Sequence, residues 1–245
     1  MIFDSHMHVG SFGGGFDVSI DRDGLERLMH EHEITNGVVF YPDNAYVAEV
    51  VDSIPGLYGL VWGNPRLPGY VEEAAHWLEH PKFIGLKLHP LLDGYLPNDP
   101  SVHPLVELIL ERDQPVLLHC GHPIFSLPWS IEELAVSFPE AEIIIGHMGH
   151  GNGVYIQAAI DIAARNPNVY LETSGMPMHT KIREAYEKVG DTRVLFGTDV
   201  PFHHALVEIT RVRVSGLPEE ALQRVLNKNG RLLFFGDDNA TEPAT

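Results

Sequence analysis

A chain of 245 residues with ordinary hydrophobic content is long enough to bury one large core, so it needs no disulfide or structural metal to stay folded. Its formal net charge of -18 argues against a nucleic-acid backbone or an anionic membrane as partner and leaves small molecules, anions included, as the expected ligands. The single cysteine, Cys120, excludes an internal disulfide framework and fits a reducing compartment. No basic stretch followed by a long apolar run opens the chain and no apolar run can span a membrane, so the expected location is the cytoplasm.

Short apolar runs rich in Val, Ile and Leu predict strands over 1–5, 34–41, 56–62, 83–89, 115–120, 142–147, 168–173 and 193–198. Between them, helical periodicity predicts helices over 23–32, 70–80, 102–112, 131–138, 155–165 and 181–189. Residues 43–53 must form a further helix despite three valines, and Asp21, Ser101 and Ser130 stand where N-caps are expected. Strands alternating with helices in this way indicate a (β/α)8 TIM barrel, one domain over 1–236, followed by a polar tail over 237–245. The alternative, an open doubly wound sheet, lacks its glycine fingerprint: Gly13-Gly14-Gly15 has the wrong spacing and reads as a mobile loop near the site.

In such a barrel the active site lies at the carboxyl ends of the strands. His6 and His8 are two apart, so on a strand they share a face and can reach one metal ion. The third strand runs into Arg66, the fourth into Lys87 and His89, the fifth into His119, the sixth into His147, the seventh into Glu172 and the eighth into Asp199. His6, His8, His119 and Asp199 together supply three imidazoles and a carboxylate, a donor set suited to zinc, with manganese, iron or nickel as alternatives. By strand parity Cys120 and Met7 point away from that set. Asp4 shares the face of His6 and His8, either to orient a ligand or as a satisfied buried group. Arg66, Lys87 and His89 offer contacts for a substrate carboxylate. Phe125, Trp129 and Phe202 sit on loops where they either wall the pocket or pack in the core, and one of His122, His203 and His204, on the same loops, is a candidate substrate contact. His30, His32, His76, His80 and His103 read as helix-surface residues.

Asp4-x-His6-x-His8, Lys87-Leu88-His89-Pro90, His119-Cys120-Gly121, Gly146-His147-Met148-Gly149 and Gly197-Thr198-Asp199-x-Pro201 resemble, in order, the motifs of the amidohydrolase superfamily. The similarity is to the amidohydrolase 2 branch, which includes aminocarboxymuconate-semialdehyde decarboxylase. Asn229-Gly230-Arg231-Leu232-Leu233-Phe234 is similar to its closing element, with Gly230 where alanine is usual. The resemblance implies metal ligation by His6, His8, His119 and Asp199, and a role for His147 at the metal-bound water or substrate. It implies one metal, while Lys87, if carboxylated, would allow a second with His119 and His147; unmodified, Lys87 binds substrate or pairs with Asp4 or Glu172. DNases of the TatD type share the first and last motifs but carry glutamate on the fourth strand, where this chain has Lys87.

The expected function is metal-dependent hydrolysis of a small carboxylate-bearing amide, lactone or ester, with Asp199 as general base. Non-oxidative decarboxylation of an aromatic or unsaturated acid is the alternative, and a catalytically silent metal-binding protein the third reading. The expected partner is a small molecule, with a homo-oligomer allowed.

Overall fold

The structure is a computed structural model and describes residues 1–236; the polar tail expected over 237–245 lies outside the described residues. The first half runs β1 (Ile2–His8), β2 (Gly10–Phe12), β3 (Val18–Ile20), α1 (Arg22–Glu31), β4 (Ile34–Phe40), α2 (Asn44–Ser53), β5 (Leu57–Trp62), α3 (Tyr70–Leu78), β6 (Phe83–Leu88), α4 (Pro90–Asp93) and α5 (His103–Leu110). The second half runs β7 (Val116–Leu118), α6 (Pro128–Ser137), β8 (Ile143–Ile145), α7 (Gly153–Arg165), β9 (Val169–Glu172), α8 (His179–Val189), β10 (Val194–Leu195), α9 (Ala205–Arg213), α10 (Glu219–Gln223) and α11 (Asn229–Phe235).

Eight strands form one parallel sheet in the order β1-β4-β5-β6-β7-β8-β9-β10. The seam between its two ends is held by backbone bonds from Ser5 N to Phe196 O and His8 N to Val200 O, both 2.8 Å, and from Asp199 N to His6 O, 2.7 Å. The (β/α)8 barrel is therefore the observed architecture. Alternation sorts the side chains. Phe3, Phe40, Leu60, Leu117, Ile144 and Leu195 fill the barrel, while Met7, Val39, Val61, Leu86 and Cys120 pack against the helices. At the amino end of the barrel, Phe234 stacks on Phe3 at 5.6 Å and Phe235 meets it edge-on, so α11 plugs the bottom.

Local rules explain most element ends. Asp21 caps α1 through Gly24 N, and Asp43 caps α2 through Tyr46 N. α2 forms despite its valines because Val47, Val50 and Val51 are all buried, and that burial outweighs a weak intrinsic preference. Two expectations need correction, and a third is refined. Ser101 is not a cap: its N–H and hydroxyl both turn to Asp99, and α5 begins behind Val102. Ser130 lies inside α6, because Pro128 fixes the start of that helix. Gly13-Gly14-Gly15 belongs to the turn of a β2–β3 hairpin, with Gly14 and Gly15 at positive φ.

Candidate metal centre

β1 continues through His6 and His8, and a register irregularity between Asp4 and Met7 turns Phe3, His6 and His8 all to the barrel interior, while Asp4 lies with Met7 against Gly37. Asp4 is a clamp across the seam: it accepts from His6 N (3.0 Å), Thr198 N (3.0 Å) and Thr198 Oγ1 (2.6 Å). It therefore holds the backbone that carries Asp199, and its hydrogen bonds go to His6 N and Thr198 rather than to an imidazole ring. The residue that orients His6 is Glu172, at the end of β9, whose Oε2 accepts from His6 Nδ1 at 2.7 Å. With Nδ1–H spent there, His6 Nε2 carries a bare lone pair.

That lone pair is the telling atom. His6 Nε2 is buried and has no hydrogen-bond partner among the described residues. It faces Asp199 Oδ1 at 3.4 Å, and His8 Nε2 lies 3.0 Å from the same oxygen. A lone pair and a carboxylate oxygen repel each other unless a cation stands between them. His6, His8 and Asp199 can offer ligand atoms that all lie within 4.8 Å of one another, a set that fits a divalent transition metal with positions left open.

His147 sits in a short 3-10 turn after β8 at φ +60°, followed by Met148 at +47°; Asp199 is at +57°. Each is a left-handed conformation costing about 1–3 kcal/mol in a residue with a Cβ. Glu172 compensates at His147 by accepting its backbone N–H at 3.1 Å. Glu172 also accepts from the N–H and hydroxyl of Ser174, so one carboxylate serves four donors. Because the Ser174 proton goes to Glu172, His147 Nδ1–H must donate to Ser174, 2.9 Å to Oγ and 3.2 Å to its carbonyl. His147 Nε2 then accepts from His119 Nδ1–H at 3.0 Å.

His119, expected as a fourth ligand, lies with Nδ1 3.0 Å from His147 Nε2 and Nε2 3.0 Å from His122 Nδ1. It lies outside the His6, His8, Asp199 set and groups with His122 and His150. Its plane is fixed by a ring stack: Trp62 on His89 at 5.5 Å, His89 on His119 at 4.1 Å and His119 on His122 at 5.1 Å, all within 15° of parallel. His89 Nδ1 accepts Leu92 N and caps α4, so its Nε2 is the N–H donor. Lys87 is fully buried beside the site, its Nζ over the Phe40 ring at 4.4 Å and without a hydrogen-bond partner among the described residues, so neither Asp4 nor Glu172 pairs with it. Arg66 is exposed in the turn after β5 and does not reach the site.

The cavity above these groups has a volume of about 230 Å³. His8 and Asp199 lie at its base, Phe12, Phe16 and Phe202 form one wall, and His89, His119, His122, His147 and His150 form the other. Phe202 thus takes the wall position expected of it, and His122 and His203 both line the cavity, His203 at its mouth. Trp129 and Phe125 stay outside, and His204 instead caps α9. A larger open groove of about 680 Å³ lies between the β2–β3 hairpin and α1, but it has no histidine. Among the described residues, no Lys or Arg lines the smaller cavity.

Electrostatics follow from burial. Desolvation holds His6, His8, His89, His119 and His147 well below the ordinary imidazole range, with Lys87 and neighbouring histidines adding to it; it brings His150 to about 4. These rings are neutral at pH 7, as metal ligands must be. Burial raises the Asp199 carboxyl against the opposing pull of His6 and His203, and brings Lys87 down to about 7.

Glu172, Ser174, His150 and the phenylalanines of the hairpin were not singled out from sequence. Glu172 was visible as a carboxylate closing its strand. The others sit on loops whose course depends on the fold.

Known proteins place the chain in context. The structure resembles a dihydroxybenzoic acid decarboxylase from Polaromonas sp. JS666, which holds manganese and the inhibitor 2-nitroresorcinol (18% identity, 95% of this chain and 96% of that one, TM-score 0.75). It also resembles a manganese-bound 5-carboxyvanillate decarboxylase from Novosphingobium aromaticivorans (13%, 96% and 97%, TM-score 0.74). A third is a probable 2-pyrone-4,6-dicarboxylic acid hydrolase from Acinetobacter baumannii with citric acid bound (18%, 95% and 98%, TM-score 0.71). No curated protein sequence matches the chain. The amidohydrolase family model (Amidohydro_2) matches residues 20–235. With the barrel and the histidine-rich carboxyl face already in view, that match shows that the chain belongs to the amidohydrolase family and is an enzyme of the amidohydrolase superfamily.

Proposed function

We propose that the chain is a metal-dependent hydrolase of a small ester, lactone or amide. The observation that carries this reading is the bare Nε2 of His6 aimed at the Asp199 carboxylate. His6, His8 and Asp199 would hold the ion, zinc or manganese, which when bound lowers the pKa of water and polarises a carbonyl. Asp199, at the base of the cavity, takes a proton from the attacking water and returns it to the leaving group. His203, with Nε2 3.5 Å from Asp199 Oδ2 and half-exposed at the mouth, passes protons between that carboxylate and solvent. His89 presents its Nε2–H to a substrate oxygen. His147, fixed by Ser174 and His119, holds the wall in register rather than moving charge.

A second reading, non-oxidative decarboxylation of an aromatic acid, is favoured by two features of the cavity. Its phenylalanine wall suits a planar ring, and with no lysine or arginine in the lining a substrate carboxylate would find its charge partner at the ion itself. Two of the similar structures are named as aromatic-acid decarboxylases.

The test is a panel of lactones, esters, amides and aromatic carboxylic acids, assayed for acid production and for CO2 release, before and after chelation. Acid release that disappears on chelation and returns with Zn(II) or Mn(II) is expected. CO2 release with the same metal dependence selects the second reading, and turnover unaffected by metal removal refutes both.

A further inference from the structure

We propose that Asp93 is a positioning residue for His89: through the Trp62 indole it fixes the His89 ring plane and holds in place the single helical turn that walls the cavity. This rests on the proposed function, in which His89 donates to a substrate oxygen.

The turn is α4, the four residues that follow His89, and its Leu91 and Leu92 line the cavity. So short a helix is marginal by itself, because its first hydrogen bond must order several residues at once. Its own bonds are local: Leu92 N to His89 Nδ1 at 3.2 Å, Asp93 N to His89 O at 3.1 Å and Gly94 N to Pro90 O at 2.9 Å. Among the described residues, the hydrogen bond that ties this turn to another element runs from Trp62 Nε1 to Asp93 Oδ2, 3.0 Å.

Trp62 closes β5 and is buried. Asn44, at the start of α2, pins its backbone, accepting Trp62 N at 2.8 Å and donating to Trp62 O at 3.2 Å. With the backbone pinned, the indole has only its side-chain torsions left, and the bond to Asp93 selects among them. The indole then lies on the His89 ring, 5.5 Å between centroids and 15° from parallel. The contacts close on themselves: Asp93 holds Trp62, Trp62 lies on His89, and His89 caps the turn that ends in Asp93. His119 covers the other face of His89 at 4.1 Å, so the ring is sandwiched. Burial lifts the Asp93 carboxyl to about 6, and the indole bond pulls the other way. Above that pH the acceptor is an ionised carboxylate, the stronger kind of partner. A hydrogen bond weakens steeply with angle, so a tilt of the His89 ring carries its Nε2–H off a substrate oxygen.

The experiment uses the full chain and has two arms. In the first, the ring resonances of His89 are read by NMR and assigned with His89→Gln. In Asp93→Ala they are expected to shift, because the indole loses its partner and leaves the stack. In Asp93→Asn, which keeps an oxygen acceptor, they should stay near their wild-type positions. His89 resonances that do not move in Asp93→Ala overturn the proposal. The second arm uses the compound from the panel above that the wild type turns over. Asp93→Ala and Trp62→Phe should each lower kcat/KM about 10–100-fold. Added to Trp62→Phe or to His89→Gln, Asp93→Ala should cost less than about twofold more. An equal fall in every background marks a contribution to folding alone and overturns the positioning role. Where Asp93→Ala does not fold, Trp62→Phe takes its place, and unchanged kcat/KM in that variant overturns the proposal. A wild type inert toward the whole panel removes the proposed function, and the ring shifts then decide the positioning of His89 by themselves.

Discussion

At the scale of single residues, the site is governed by where protons are fixed. Glu172 sets the tautomer of His6 directly and that of His147 through Ser174, so one buried carboxylate aims two imidazoles. Glu172→Gln removes one acceptor and is expected to weaken metal binding about 10–100-fold, measured by competition with a chelator. Unchanged affinity would show that His6 needs no orienting partner. Asp199→Asn keeps an oxygen ligand but not the base. It should retain metal while kcat falls by about 10²–10⁴; full activity would refute Asp199 as the base. His-x-His was legible because strand alternation is a local rule. Asp4, expected on the same face, lies across a register irregularity from them and serves the seam, where Thr198 arrives from 194 residues away to occupy its oxygens.

At the scale of elements, chain ends and close contacts decide more than propensity. Gly230 stands in α11, where alanine would be the better helix former by about 1 kcal/mol. A Cβ there would collide with the Phe3 ring, which stacks on Phe234 and meets Phe235 edge-on. Gly230→Ala is therefore expected to destabilise by about 1–3 kcal/mol in urea unfolding, against the propensity. A stabilised variant would show that Phe3 can move. The beat of strands and helices was legible because buried parallel strands and amphipathic helices have distinct periods. The hairpin β2–β3 was not. Its strands have three residues each, too few to show alternation, yet they carry Phe12 to the pocket wall.

At the scale of the whole molecule, closing the barrel drives Lys87 into a setting where its charge is disfavoured. Its ordinary value of 10.5 falls to about 7, chiefly through burial, with Asp199 and Glu172 pulling the other way. The folded state then binds fewer protons than the unfolded one between about pH 7 and 10.5, so stability rises with pH across that window. Relative to pH above 10.5, Lys87 costs on the order of 5 kcal/mol at pH 7. In the metal-free protein, Lys87→Met should raise stability at pH 7 and show less increase than wild type between pH 7 and 10, measured by urea unfolding. Parallel pH profiles for the two proteins would mean that Lys87 stays charged in the fold.

The amino-acid sequence by itself determined the barrel, its eight strands and the strand ends at which imidazoles and carboxylates fall, because these follow from period, length and the direction of alternate side chains. It also carried the family motifs in order. Only the tertiary structure decided which of those groups meet. His6, His8 and Asp199 converge while His119 turns to His122 and His150, Lys87 is left without a hydrogen-bond partner, and Arg66 stays outside. The reason is physical. A strand fixes the face a residue points to, but the ring plane, the tautomer and the partner are set by loops and stacks built from residues far apart in the chain.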